Sequence, residues 1–125
     1  MSQLGQQREI LRASALPPKG DFCFASARPS EGMTALAAQP NVNVKLSGLG
    51  TFVHACRADV MAPVIRETVA MFGADRCFYG SNFPIEKLWT DYATLYRTFR
   101  EAIAHLGEGE QRAILHDTAA RLYRI

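Results

Sequence analysis

From residue 30 onward the apolar positions recur with changing spacing, and each change marks a new element. Met33, Leu36 and Ala37 follow Ser30 and Glu31 at helical spacing, and the run stops at Pro40. Val42-Asn-Val-Lys-Leu46 then alternates, which predicts a short strand ended by the turn Ser47-Gly48-Leu49-Gly50. Val60, Met61, Val64, Ile65, Val69 and Phe72 fall on one face of a second helix. Asp59 is its predicted N-cap, Pro63 is tolerable only within its first turn, and Gly73 suits the position just past its end.

Arg76-Cys-Phe-Tyr-Gly80 reads as a second strand that leads directly into Ser81-Asn82-Phe83-Pro84. Thr90 or Asp91 can cap a long helix with Tyr92, Leu95, Tyr96, Phe99, Ile103 and Leu106 on its apolar face, closed by Gly107. A last helix from about Glu108 buries Ile114, Leu115, Thr118, Ala119 and Leu122. Residues 1–30 carry no sustained period. Gln3 to Arg12 suits one short helix, which Pro17, Pro18 and Gly20 end, and the whole stretch reads as a poorly specified leader.

The order is thus helix, strand, helix, strand, helix, helix. Strands separated by crossover-length helices predict an α/β fold with parallel pairing, because parallel neighbours need a long return. The mostly apolar second strand predicts cover on both faces. Two such strands cannot close a barrel, and an open edge beside each predicts an incomplete part of a larger sheet, with self-association through those edges.

Bulk properties narrow the function classes. Of 125 residues, 48% are hydrophobic and 21% charged, as in an ordinary globular chain with one core. The net charge of +2 is spread without a basic run or stripe, so neither nucleic acid nor a membrane surface is an expected partner. Cys23, Cys56 and Cys77 lack metal-ligand spacing, which disfavours a structural zinc site and suits reduced thiols in the cytoplasm. The first residues lack a secretory signal, and no apolar run is long enough to span a bilayer.

Several separated blocks in a fixed order resemble one family. VNVKLSGLG, then a helix ending in FGADRCFYGSNFP, then a final helix ending in HDTAARLYRI, look like the C-terminal third of the amidohydrolase-related TIM-barrel hydrolases. The resemblance covers about Glu31 to Ile125 and implies the closing βα units of a TIM-like (β/α)8 barrel, with Val42 to Leu46 similar to the seventh strand and Arg76 to Gly80 to the eighth. It implies hydrolysis of a lactone, amide or related carboxylic substrate by activated water. Full-length relatives commonly use a divalent metal for this; none is supported by this chain alone.

The resemblance places Ser47-Gly48-Leu49 and Ser81-Asn82-Phe83-Pro84 at the barrel mouth. The family's G-S-D-W-P variant puts a carboxylate, as metal ligand or general base, where this chain has Asn82. An amide can coordinate or accept a hydrogen bond, but it cannot take a proton near neutral pH. Asn82 is therefore the catalytic candidate as an orienting group; its plain alternative is a turn residue in left-handed geometry. Substrate-binding candidates are Lys45 and Ser47, two apart on one strand face, with Ser81 and His54 from the loops.

Three of these four have a bland alternative too. Lys45 can snorkel to solvent, Ser81 can cap its turn, and His54 can be a solvated loop residue. Glu86 and Lys87 read as a surface pair, Tyr92, Tyr96 and Phe99 as packing, and Trp89 as either a cover of the mouth or a helix anchor. The family's first-strand His-x-His pair has no counterpart, since His54, His105 and His116 are the only histidines and the last two fall on the final helices. This predicts a truncated or misframed chain: residues 1–30 a divergent leader, 31–125 the C-terminal part of the barrel domain. The competing function is a non-catalytic barrel remnant that folds or assembles with another polypeptide.

Overall fold

The computed structural model describes residues 31–51 and 53–125, so the expected helix at Gln3 to Arg12 and the helix start at Ser30 lie outside the described residues. The elements are α1 (Glu31–Ala37), β1 (Val44–Leu46), α2 (Ala58–Phe72), β2 (Cys77–Tyr79), α3 (Tyr92–Ala102), α4 (Glu108–Arg112) and α5 (Thr118–Tyr123). Short 3-10 turns precede β2 (Ala74–Arg76) and follow it (Ile85–Leu88), and a π turn (Ala113–Asp117) joins α4 to α5. No helix among the described residues is long and apolar enough to cross a membrane.

β1 and β2 are parallel neighbours, with Val44 opposite Cys77, Lys45 opposite Phe78 and Leu46 opposite Tyr79. The fifteen-residue α2 supplies the return that such pairing requires. Alternation then sorts the side chains. Val44, Leu46 and Cys77 join Met61, Ile65, Phe72, Leu95 and Phe99 in the core, and the Tyr79 ring lies 4.6 Å from that of Phe99. Each large aliphatic or aromatic side chain so buried contributes about 1.5–3 kcal/mol. Lys45, Ser47, Phe78 and Gly80 occupy the other face, where Phe78 meets Tyr123 edge-on at 5.9 Å. Both Cys77 and Phe78 are buried, so β2 is covered on both faces as its apolar run predicts.

Several expectations are corrected. Both strands are shorter than predicted, because Val42 bonds back to Gln39 and Arg76 belongs to the turn before β2. The Arg76 guanidinium donates to the carbonyls of Phe72 (2.8 Å), Gln39 (2.9 Å) and Ala37 (3.0 Å), tying together the ends of α1 and α2. Asp59 is not the N-cap of α2. Arg57 holds that position, and its side chain donates to the Asp59 carboxylate within the first turn. Pro63 is the sixth residue of α2, beyond the first turn, so the helix forgoes one backbone bond there and continues.

On α3 the buried stripe is Leu95, Thr98, Phe99 and Ala102, while Tyr92 and Tyr96 are 54% and 37% exposed. The stripe is rotated from the predicted face because the two tyrosines touch only ring edges, Tyr92 at Phe83 and Tyr96 at Tyr79. The helix also ends at Ala102, short of Gly107. At the C-terminus the π turn interrupts the predicted helix, yet it keeps Ile114 and Thr118 buried, with the Thr118 hydroxyl donating to Ala74 O.

Candidate active site

Because β1 and β2 run parallel, the loops that leave them start at the same end of the sheet. The first loop carries Ser47, Gly48, Gly50, Thr51 and His54; the second carries Gly80, Ser81, Asn82, the cis Phe83–Pro84 bond, Glu86 and Trp89. A small recess at the strand ends is lined by Leu46, Ser47, Gly48, Tyr79, Gly80 and Ser81. A larger surface groove, formed by Tyr96, Arg97, Arg100, Glu101, Ala104 and Gln111, contains none of the five predicted site residues.

Gly80 brings the two loops close. A Cβ there would lie 2.5 Å from Lys45 Cε and 3.1 Å from Ser47 Cβ, so the lysine stem crosses the Gly80 backbone. Lys45 and Ser47 therefore share a face, as their spacing predicts, with Ser47 buried and Lys45 half-buried. The Ser81 hydroxyl accepts a long bond from the Phe83 amide (3.4 Å), which matches its reading as a turn cap.

Asn82 has a left-handed backbone (φ 56°), a conformation asparagine tolerates better than most side chains. Its side chain is also engaged: Nδ2 donates to Glu86 Oε1 at 2.9 Å and lies 3.4 Å from Thr51 Oγ1. Turn geometry and a polar role thus coincide at this residue.

The structure corrects the reading of Glu86 as half of a surface pair. Its side chain is 1% exposed. Oε1 accepts from Asn82 and from the Thr51 hydroxyl (3.0 Å), and Oε2 accepts from the Trp89 indole N–H (2.6 Å). A buried carboxylate is stable only when its oxygens are satisfied in this way. Gly50 keeps the approach open, since a Cβ there would sit 2.2 Å from Ala55 O and 3.7 Å from Glu86 Oε2. The one faint trace in the sequence was spacing: Asn82 and Glu86 are four apart and Trp89 three further on, enough for a single turn to gather them. Thr51 left no trace, because its partner lies thirty-five residues away.

His54, also left-handed (φ 50°) and exposed, stacks on Trp89 with ring centroids 5.1 Å apart and planes 19° from parallel. The indole is thus held by Glu86 at its edge and by His54 on its face. His105 and His116 take no part. The first bonds the Ala102 carbonyl in the turn after α3, and the second pairs with Asp117 in the π turn.

Burial pushes the Tyr79 hydroxyl pKa upward, with Tyr92 and Tyr96 adding to it, so this phenol beside the recess stays protonated. Among the described residues no three His, Cys, Asp or Glu side chains are grouped as metal ligands would be. Asn82 and Glu86 spend their polar atoms partly on each other. That donor set does not fit a metal cradle.

The sequence model of the amidohydrolase family matches residues 24–125. An uncharacterized protein, y4mH, of Sinorhizobium fredii is 36% identical over 93% of this chain and 38% of its own length. The L-fucono-1,5-lactonase of Burkholderia ambifaria is 31% identical over 94% of this chain and 42% of its own. The chain therefore spans about two-fifths of the length of these curated relatives. Two crystal structures of an amidohydrolase from Burkholderia multivorans, one with bound zinc and one with bound HEPES, superpose with a TM-score of 0.65. They share 30% and 31% identity and cover 74% of this chain, against 35% and 34% of theirs. With the ordered blocks, the parallel strand pair and the family match all coinciding over most of its length, this chain belongs to the amidohydrolase family.

Proposed function

We propose that this chain supplies the last two βα units of a hydrolase barrel that opens a lactone, amide or related carboxylic bond with activated water. The observation that carries this reading is the meeting of two loops from adjacent parallel strands around Asn82, at the strand ends where barrels of this kind hold their chemistry. In this reading Asn82 orients the attacking water or the substrate carbonyl through its amide and takes no proton. The proton acceptor then belongs to strands earlier in the barrel. Lys45, close to the recess, offers a cation to an anionic or carboxyl-bearing substrate, Ser47 and Ser81 offer hydroxyls, and His54 on Trp89 forms the rim. The free Cys56 and buried Cys77 support a reducing, cytoplasmic setting.

The test joins this chain to the N-terminal three-fifths or so of a lactonase such as the Burkholderia ambifaria relative, and follows acid release from L-fucono-1,5-lactone and simpler lactones. Turnover by the joined protein is expected; its absence with every lactone and amide offered would remove the proposal.

A second reading is a non-catalytic remnant that assembles with another polypeptide or with itself. It is favoured by the sheet: among the described residues β1 and β2 pair only with each other, so each keeps one edge for a further strand. Sizing of the purified chain separates the two, since a remnant of this kind associates and stays inactive whatever it is joined to.

A further inference from the structure

We infer that Glu86 is the positioning residue for Asn82, fixing which end of its amide turns inward, and that an amide at position 82 and a carboxylate at position 86 form a matched pair. The inference rests on the proposed role of Asn82 and specifies how that role is achieved.

An ionised carboxylate only accepts hydrogen bonds. Glu86 Oε1 accepts from the Thr51 hydroxyl and lies 2.9 Å from the Asn82 amide, which turns its N–H end toward the same oxygen. The carbonyl oxygen Oδ1 is thereby directed away from Glu86. Without Glu86, an asparagine side chain flips between two nearly isosteric orientations.

Glu86 is itself held from both sides. Thr51 and Asn82 donate to Oε1, and Trp89 donates to Oε2. Glutamine in its place has one oxygen, so keeping the Trp89 bond turns its N–H toward Asn82, whose amide must then flip and give up its present contact with Thr51. Aspartate at position 82 beside Glu86 puts two carboxyl groups at hydrogen-bond distance, an arrangement that holds only if the pair takes up a proton and that costs stability at pH 7.

Exchanging the two chemistries satisfies every partner. In the double variant Asn82→Asp with Glu86→Gln, the introduced glutamine accepts from the Trp89 indole through its oxygen and donates to the introduced aspartate through its N–H. Thr51, 3.4 Å from the position 82 side chain, donates to the same aspartate.

The test is a double-substitution cycle on the full 125-residue chain at pH 7, read by chemical denaturation and by the proton resonance of the Trp89 indole N–H, the single tryptophan present. Each single substitution is expected to lower stability and shift the indole signal upfield. The double variant is expected to recover both, with coupling of about tenfold or more in the unfolding equilibrium constant. If a single variant fails to fold, folding of the double variant is itself the recovery. Additive losses, or a double variant that does not fold, would overturn the inference. A role for Glu86 in loop packing alone predicts that the double variant recovers neither the stability nor the indole signal. Because the cycle needs no turnover, its failure leaves the hydrolase reading standing, and a silent joined barrel leaves the matched pair standing.

Discussion

Asn82 Nδ2 donates to Glu86 Oε1 at 2.9 Å within the loop after β2, and Thr51 from the loop after β1 reaches the same oxygen at 3.0 Å. One buried carboxylate therefore joins the two loops that leave adjacent parallel strands. Replacing Glu86 by leucine strips three donors of their acceptor and is expected to cost roughly 2–3 kcal/mol. Urea denaturation followed by Trp89 fluorescence measures it. A loss below roughly 0.5 kcal/mol, the range of an ordinary surface change, would show that the contacts do not operate in solution.

Arg76 acts as a second tie, remote from the mouth. Its guanidinium reaches carbonyls at the ends of both α1 and α2, and its charge lies 5.3 Å from the centre of the Phe72 ring. Alanine at this position is expected to lose about 2–3 kcal/mol, and lysine to recover less than half of that, because an ammonium cannot address three carbonyls in a plane. Equal stability of the lysine variant and the natural chain would refute the role.

The contrast between these two residues shows what sequence can and cannot reveal. The parallel order of β1 and β2 was readable because it follows from alternation and helix length, both local properties. The site loops were readable as blocks, and they do lie together at one end of the strands. Glu86 was not readable. Its burial arises in a four-residue turn without any period, from Thr51 and Gly50 folding over it from another loop. Beside Lys87 it looked like any solvated pair. Tyr92 and Tyr96 misled in the opposite direction, since helical spacing marks a stripe but not its edge, and Thr98 and Ala102 took the places inside. The π turn at Ala113–Asp117 has no composition signal, because it follows from how Ile114 and Thr118 fit against the turn before β2.

Cys77 offers a chemical check on the core. Its side chain is fully buried, and burial pushes the thiol pKa up to about 12. At pH 8 it is therefore protonated and out of reach of alkylating agents. Peptide mass mapping after brief iodoacetamide treatment is expected to show Cys56 modified and Cys77 intact in the folded chain, with both modified in denaturant. Equal labelling without denaturant would contradict the described packing of β2.

Acid sensitivity has a definite sign at the start of α3. The Thr94 hydroxyl and amide donate to Asp91 and hold its carboxyl below the ordinary carboxylate pKa. A folded-state value below the unfolded one adds stability at pH values above the unfolded value, and that stability fades as pH falls through the folded value. Asn at position 91 still accepts from the helix amides but does not titrate. Stability of Asp91→Asn is therefore expected to fall less steeply than that of the natural chain below roughly pH 4. Parallel acid limbs for the two proteins would remove Asp91 from the account.

The most direct measurement is the turnover number of the joined barrel with and without Asn82. Replacing Asn82 by alanine is expected to lower kcat for lactone hydrolysis by about a hundredfold, the scale of removing one orienting group at a reacting carbonyl, with little change in KM. An unchanged kcat in the alanine variant would contradict the claim that the loop after β2 brings a working group of this hydrolase to the mouth.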